Sequence, residues 1–171
     1  MSPLINHILI VLVPLTCTNI LHMVLVKRNG LSFLALPIHT AWFGKNKTWR
    51  GVLFISLVNG AFLVLFNRWL NWGATEDWLT GLLLGLAYAA AELPNSWFKR
   101  RMGIPSGGSP EKYRLLFALM DKSDSALGVA LMYFWLGTGS LADMLIIFLC
   151  GVGLHILFSA LLVWLHIKSS F

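Results

Sequence analysis

Long apolar runs broken by two basic loops limit what this chain can become more than any other feature. Segments near residues 4–26, 51–70, 77–97, 122–138 and 141–166 each come close to the roughly 20 apolar residues that one helix needs to cross a hydrocarbon core. The fourth is the shortest. It carries Asp124 near its start and is ended by Gly137, Thr138, Gly139 and Ser140, a turn-forming cluster. No polar interval is long enough to bury a core of its own. The expected fold is therefore all-α: a polytopic membrane protein with about five transmembrane helices, forming one domain over residues 1–171. Composition agrees, since 57% hydrophobic and 12% charged residues with a mean hydropathy of +0.74 exclude a soluble domain.

The formal charge of +6 would suit a nucleic-acid ligand if it were spread over a surface, but it is concentrated in two loops. Lys27, Arg28, Lys45, Lys47 and Arg50 lie in a loop at about 27–50; Lys99, Arg100, Arg101, Lys112 and Arg114, with Lys122 behind them, lie at about 98–121. The connections at 71–76 and 139–140 hold no Lys or Arg. The positive-inside bias then puts both basic loops in the cytosol, the N-terminus outside and the C-terminus, with Lys168, inside. Arg68 on the outer side can snorkel. No nucleic-acid partner is expected. The first run has no basic residue before it and no small-residue cleavage site, so it is expected to stay as a helix rather than leave as a signal peptide. Cys17 and Cys150 fall inside apolar runs and outside any CxxC pair, which favours small buried hydrophobes over a disulfide or zinc. Thr16, Thr18, Asn19 and Asn59 read as hydrogen-bonding contacts between helices.

Spacing inside the loops carries more than charge. Residues 36–51 read L-P-I-H-T-A-W-F-G-K-N-K-T-W-R-G. Pro37 and Gly44 mark turns, and Thr48 is placed to N-cap the second helix. Lys45, Lys47 and Arg50 then surround a helix N-terminus, where free N–H groups and the dipole favour an anion. The spacing of a Walker A loop is absent, and a solvated basic loop would read the same way. His39 reads first as an ordinary loop residue and second as a substrate contact.

Glu92 follows more than a turn of apolar and small residues, and an ionisable group at such depth is a functional candidate. Pro94 removes a backbone hydrogen bond and is expected to kink the helix. Glu92, Ser96 and Lys99 or Arg100 share one helical face. The segment G-I-P-S-G-G-S-P at 103–110 could fold over a ligand or serve as a linker. Asp121 and Asp124 then begin the fourth helix one turn apart on one face. That pair suits Mg2+, which takes one or two carboxylates with substrate phosphates and water; equally, it suits ion pairs with Lys99, Arg100 and Arg101. Cations for phosphates, acids for a metal and apolar surroundings that admit a lipid make an inventory for transfer at a phosphorus centre.

G-K-N-K-T-W-R-G before a helix, S-W-F-K-R-R-M-G-I-P-S-G at 96–107 and M-D-K-S-D at 120–124 together resemble the CDP-archaeol synthase family. These are integral-membrane, CTP-dependent cytidylyltransferases related to phosphatidate cytidylyltransferases, and the similarity covers about residues 37–128. The resemblance implies that CTP and a lipid phosphate, archaetidic or phosphatidic acid-like, give a CDP-lipid and pyrophosphate with Mg2+, at the cytosolic face of the cell membrane. Lys47, Thr48 and Gly51 match the first motif. Glu92, Ser96, Lys99, Arg100, Arg101 and Gly103 match the second, and Asp121 with Asp124 match the acidic pair. The implied roles put Asp121 and Asp124 on magnesium, Glu92 on the metal or its waters, and Lys47, Lys99 and Arg100 on the phosphates. Lys45, Thr48, Arg50, Gly51, Ser96 and Arg101 complete the nucleotide-binding set. The chain departs from the family pattern with Lys45 and Asn46 where an acid is usual, Glu92 where Asp is usual and Lys122 where Gln is common. The alternative is a noncatalytic membrane protein of the same fold that binds nucleotide or anionic lipid or scaffolds partners. A transporter is disfavoured by the lack of an evident internal repeat, and self-association as a homodimer is left open.

Overall fold

Backbone groups in hydrocarbon must find their hydrogen bonds within the protein, which drives so apolar a chain into helices. The computed structural model describes residues 3–70, 78–108, 113–137 and 139–165. Among the described residues the only β feature is an isolated bridge between Pro37 and Thr48. The elements are α1 (Pro3–Lys27), a 3-10 turn (Ser32–Leu34), the single-turn α2 (Thr40–Phe43), α3 (Trp49–Leu70), α4 (Trp78–Arg101), α5 (Arg114–Trp135) and α6 (Leu141–Trp164). Among the described residues three stretches are long and apolar enough to cross a membrane, Leu4–Lys27, Trp49–Trp69 and Leu141–Trp164. The helices α4 and α5 match them in length, at 24 and 22 residues, but carry the polar residues around Glu92–Arg101 and Asp121–Ser125.

The helix boundaries lie close to those expected, with one correction. The fourth long helix does not begin near 122: it starts at Arg114, because L-L-F-A-L-M at 115–120 is a run of strong helix formers. Asp121 and Asp124 therefore sit inside a helix rather than at its start. Lys99, Arg100 and Arg101 belong to the last turn of α4, so the second basic loop is shorter than 98–121. The helix α4 also runs on through Pro94, which leaves the Ala90 carbonyl without its usual helical donor. The expected connection at 71–76, together with Pro110, Lys112, Thr138 and Lys168, lies outside the described residues.

Each long helix packs on its neighbours in sequence, and α1 closes the ring by touching both α3 and α6. Val11, Leu12, Leu15, Leu84, Val129, Ala130, Tyr133 and Ile147 form the core of this ring. Glycines set the closest approach. A Cβ at Gly81 would fall 2.8 Å from the Gly60 Cα, and one at Gly85 would fall 2.7 Å from the Ile55 carbonyl oxygen. The backbones of α3 and α4 are thus in direct contact, as small residues allow in membrane helix pairs, and Asn59 Nδ2 donates to the Gly81 carbonyl at 2.6 Å across them. Outside the ring, Leu57, Leu131, Leu149 and Leu157 are exposed, and Trp49, Trp69, Trp78, Trp135 and Trp164 stand exposed at helix ends. That is the distribution expected of a membrane-facing surface with interfacial aromatics.

Gly85→Val should force α3 away from α4 and lower the melting temperature in detergent, at an overpacking cost of about 1–3 kcal/mol. Gly153→Ala, whose added methyl meets nothing within 4 Å, should leave it unchanged or raise it slightly.

Candidate functional site

The first basic loop is folded back on itself before α3 begins. The Ile38 N–H donates to the Lys47 carbonyl at 2.9 Å and the Trp49 N–H to the Leu36 carbonyl at 3.0 Å, which fixes Lys47 just ahead of α3. Thr48 caps α3 as expected: its Oγ1 accepts from the Gly51 N–H at 3.4 Å. Arg50 is buried and donates through Nη1 to the Gly30 carbonyl at 3.0 Å, tying the far side of the loop to the helix start. The 103–108 segment meets this loop at Gly44, which has φ of +81° and stands so close to Ser106 that an added Cβ would lie 2.3 Å from its Oγ. Only glycine satisfies both demands.

The C-terminal ends of α1, α4 and α6, the N-terminal ends of α3 and α5, and these two loops enclose a cavity of about 660 Å³, a volume suited to a nucleotide-sized ligand. Lys45, Lys47, Thr48, Arg50 and Gly51 line it from the first loop and α3; Glu92, Ser96, Lys99 and Arg100 from α4; and Asp121 and Asp124 from α5. One expected contributor, Arg101, is elsewhere, and His39 keeps the ordinary loop role read for it first. The Arg101 guanidinium lies 5.2 Å from the Trp97 ring centre, because the two residues are four apart on α4 and share a face. His39 caps α2, accepting from the Trp42 N–H at 3.2 Å through Nδ1.

Ion pairs and hydrogen bonds cross the cavity between its elements. Lys47 donates to Glu92, joining the first loop to α4. The Lys99 ammonium donates to both Asp121 oxygens, at 2.5 and 2.6 Å. Asn95 Nδ2 donates to Asp121 Oδ1 at 2.7 Å and to Asp124 Oδ2 at 3.0 Å, so a single amide holds the two carboxylates side by side. Asp124 Oδ1 accepts the Ser125 N–H at 2.6 Å. Ser96 turns its hydroxyl back to the Glu92 carbonyl at 2.9 Å.

The expected trio of Glu92, Asp121 and Asp124 does not converge: among the described residues no three His, Cys, Asp or Glu side chains stand together as a metal cage. Lys47 holds Glu92, while Asn95 and Lys99 hold the aspartates. The aspartates still present two carboxylates, the number Mg2+ takes when phosphates and water complete its shell. The Nε atoms of Arg50 and Arg100 and the Nε2 of His22 are buried without a hydrogen-bond partner among the described residues. Leaving such groups unmet is costly, and all three residues line the cavity.

Several cavity residues lay outside the sequence expectation. His22, Tyr88, His155 and Ser159 line the cavity, and behind its wall the buried Asn95 holds the two lining aspartates; its signal in the sequence is an amide directly after Pro94 in an apolar helix. His155 and Ser159 are four residues apart in the apolar α6, so they share a face, a spacing visible in the sequence. No protein-family model, curated protein or solved structure matches the chain, so the site is read from its own residues.

Burial is the largest influence on the Lys47 ammonium and pulls its pKa down, but the Glu92 carboxylate, by charge and by hydrogen bond, with Asp124 and Asp121 behind it, outweighs burial and holds it above the usual lysine value. A raised lysine stabilises the fold fully below its unfolded pKa of about 10.4 and loses that contribution as pH rises through the higher folded value. Lys47→Met should therefore melt below wild type at neutral pH, by about 1–3 kcal/mol. The gap should stay constant to about pH 9 and close only above about pH 10.4, as read from melts across pH.

Proposed function

We propose that the chain is a membrane cytidylyltransferase that transfers CMP from CTP to a lipid phosphate, archaetidic or phosphatidic acid-like, giving a CDP-lipid and pyrophosphate. The observation that carries this reading is one cavity lined by Lys45, Lys47, Arg50, Lys99 and Arg100 together with Asp121 and Asp124, set among apolar helices. The resemblance of its three motifs to CDP-archaeol synthases supports the same reading. In this proposal all five long helices span the membrane, since 22 to 25 residues make about 33–38 Å of helix. The N-terminus is outside, the C-terminus is cytosolic and the cavity opens to the cytosol, where CTP is found.

A lipid phosphate oxygen attacks the α-phosphorus of CTP, the bond from that phosphorus to the α,β-bridging oxygen breaks, and its electron pair leaves with pyrophosphate. The attacking oxygen is already anionic, so the step needs no protein nucleophile and no base. Catalysis then rests on position and charge. Lys47, Lys99 and Arg100 take the triphosphate, with Lys47 and Lys99 exchanging Glu92 and Asp121 for phosphate oxygens. Arg50 and the free N–H groups of α3 add to the same wall. Asp121 and Asp124 would hold magnesium, which when bound offsets the charge of the phosphates. Asn95 keeps the two carboxylates adjacent.

A second reading has one observation in its favour. The ion pairs Lys47–Glu92 and Lys99–Asp121 are what a noncatalytic protein of the same fold would keep for stability while binding nucleotide or anionic lipid. Purified protein in detergent, given labelled CTP, magnesium and a panel of lipid phosphates, should release pyrophosphate, and Asp124→Asn should reduce the rate by about 100-fold or more. CTP at 100 times its dissociation constant should protect the fold by about 2.7 kcal/mol. Protection without turnover on any lipid phosphate would favour the binding reading; absence of both would sink each of them.

A further inference from the structure

A second polar cluster lies on a wall that the triphosphate does not use. Lys122 on α5 is only 3% exposed, and its ammonium donates to the Ser159 hydroxyl on α6. Close to one turn along the same seam, Ser125 Oγ lies 3.3 Å from His155 Nδ1, and the Tyr88 ring stands 6.2 Å from the His155 ring, centre to centre. Lys122 and Ser125 are three apart on α5, and His155 and Ser159 are four apart on α6, so each pair presents one helical face. Lys122, Tyr88, His155 and Ser159 all line the large cavity. Tyr88, His155 and Asn19 also border an apolar recess of about 50 Å³, walled by Leu12, Leu15, Val129 and Phe158.

The two spaces call for one amphiphilic ligand. A lysine buried among apolar helices and lining a cavity is a functional candidate by default. A phosphate monoester answers Lys122, which holds three donors, with hydroxyl and imidazole beside it. A hydrocarbon chain answers the recess, where a free phosphate or a nucleotide would leave apolar walls unfilled. We infer that Lys122, with His155 and Ser159, binds the phosphate of a lipid phosphate monoester whose first carbons enter the recess between α1, α4, α5 and α6. This rests on the transferase reading for its role: Lys47, Lys99 and Arg100 hold the donor triphosphate, and Lys122 holds the acceptor.

The test is differential thermal stabilisation of the full chain in detergent, followed by tryptophan fluorescence. The probes are a lipid phosphate (phosphatidate and an isoprenoid-ether phosphate), the same lipids as free alcohols, inorganic phosphate, and CTP. Wild type should be stabilised by the lipid phosphate and not by the alcohol or by inorganic phosphate. Lys122→Met, which keeps side-chain length without charge, should weaken lipid-phosphate binding by about tenfold or more and keep the CTP response, which also certifies that the variant is folded. Lys122→Arg should restore much of it. Where turnover is present, Lys122→Met should raise KM for the lipid phosphate and leave KM for CTP near wild type. An unchanged lipid-phosphate response in Lys122→Met, a parallel loss for CTP, or equal stabilisation by alcohol or inorganic phosphate would overturn the assignment. A Lys122-dependent lipid-phosphate shift with no pyrophosphate release sinks the transferase reading and leaves the assignment standing.

Discussion

A charge carried among apolar helices is tolerable only when an opposite charge or a set of hydrogen bonds meets it, and the arrangement of α3, α4 and α5 around the cavity follows from how those partners are supplied. Lys99 is nearly buried and sits on both oxygens of Asp121. Asn95, one turn before it on α4, joins Asp121 to Asp124. Lys47 reaches from the loop ahead of α3 to Glu92. Each contact spans two elements, so neutralising the charges also sets the rotation and height of α4 against its neighbours. In the proposed reaction phosphate oxygens would replace these carboxylates as partners of Lys47 and Lys99, so that neither cation is left unmet.

Those contacts depend on how near the backbones come. Gly60, Gly81 and Gly85 let α3 and α4 touch along their length, and Gly128 does the same for α5 against Ala87 and Ala91 of α4. With bulkier residues there the helices would stand apart and the lysine and amide bridges would not reach. Near the cavity mouth, Gly44 and Ser106 bring the two basic loops together in the same way. Close packing of small residues and pairing of charges are thus two parts of one device: the first sets the spacing and the second uses it.

Much of the candidate site could be read along the chain because its members sit at helical intervals or beside a helix start. Glu92, Ser96 and Lys99 follow the turn of α4, Asp121 and Asp124 the turn of α5, and Thr48 the cap of α3, and all of them line the cavity. Arg101 reads along the chain as one cluster with Lys99 and Arg100, but Trp97 stands one turn before it on the same face of α4 and holds its guanidinium. The start of α5 is masked along the chain by the polar residues near 121, which resemble a boundary, whereas the helix already begins at Arg114 and the apolar run before them belongs to it. Asn95 was overlooked because an uncharged amide in a helix has many bland uses, and its role is set by two residues on another helix.

The sequence by itself determined that the chain is helical and apolar on its outside, and which short stretches bear charge, because both follow from local periodicity and from the cost of bare backbone in hydrocarbon. It also marked many of the residues that gather at the cavity, since a charge inside or beside an apolar run stands out without any knowledge of its neighbours. Only the tertiary structure decided which charge meets which: Lys47 with Glu92, Lys99 with Asp121, Lys122 with Ser159. Those choices belong to side chains 22 to 45 residues apart that become neighbours when glycine-lined helices close up, and no spacing along one helix contains that information.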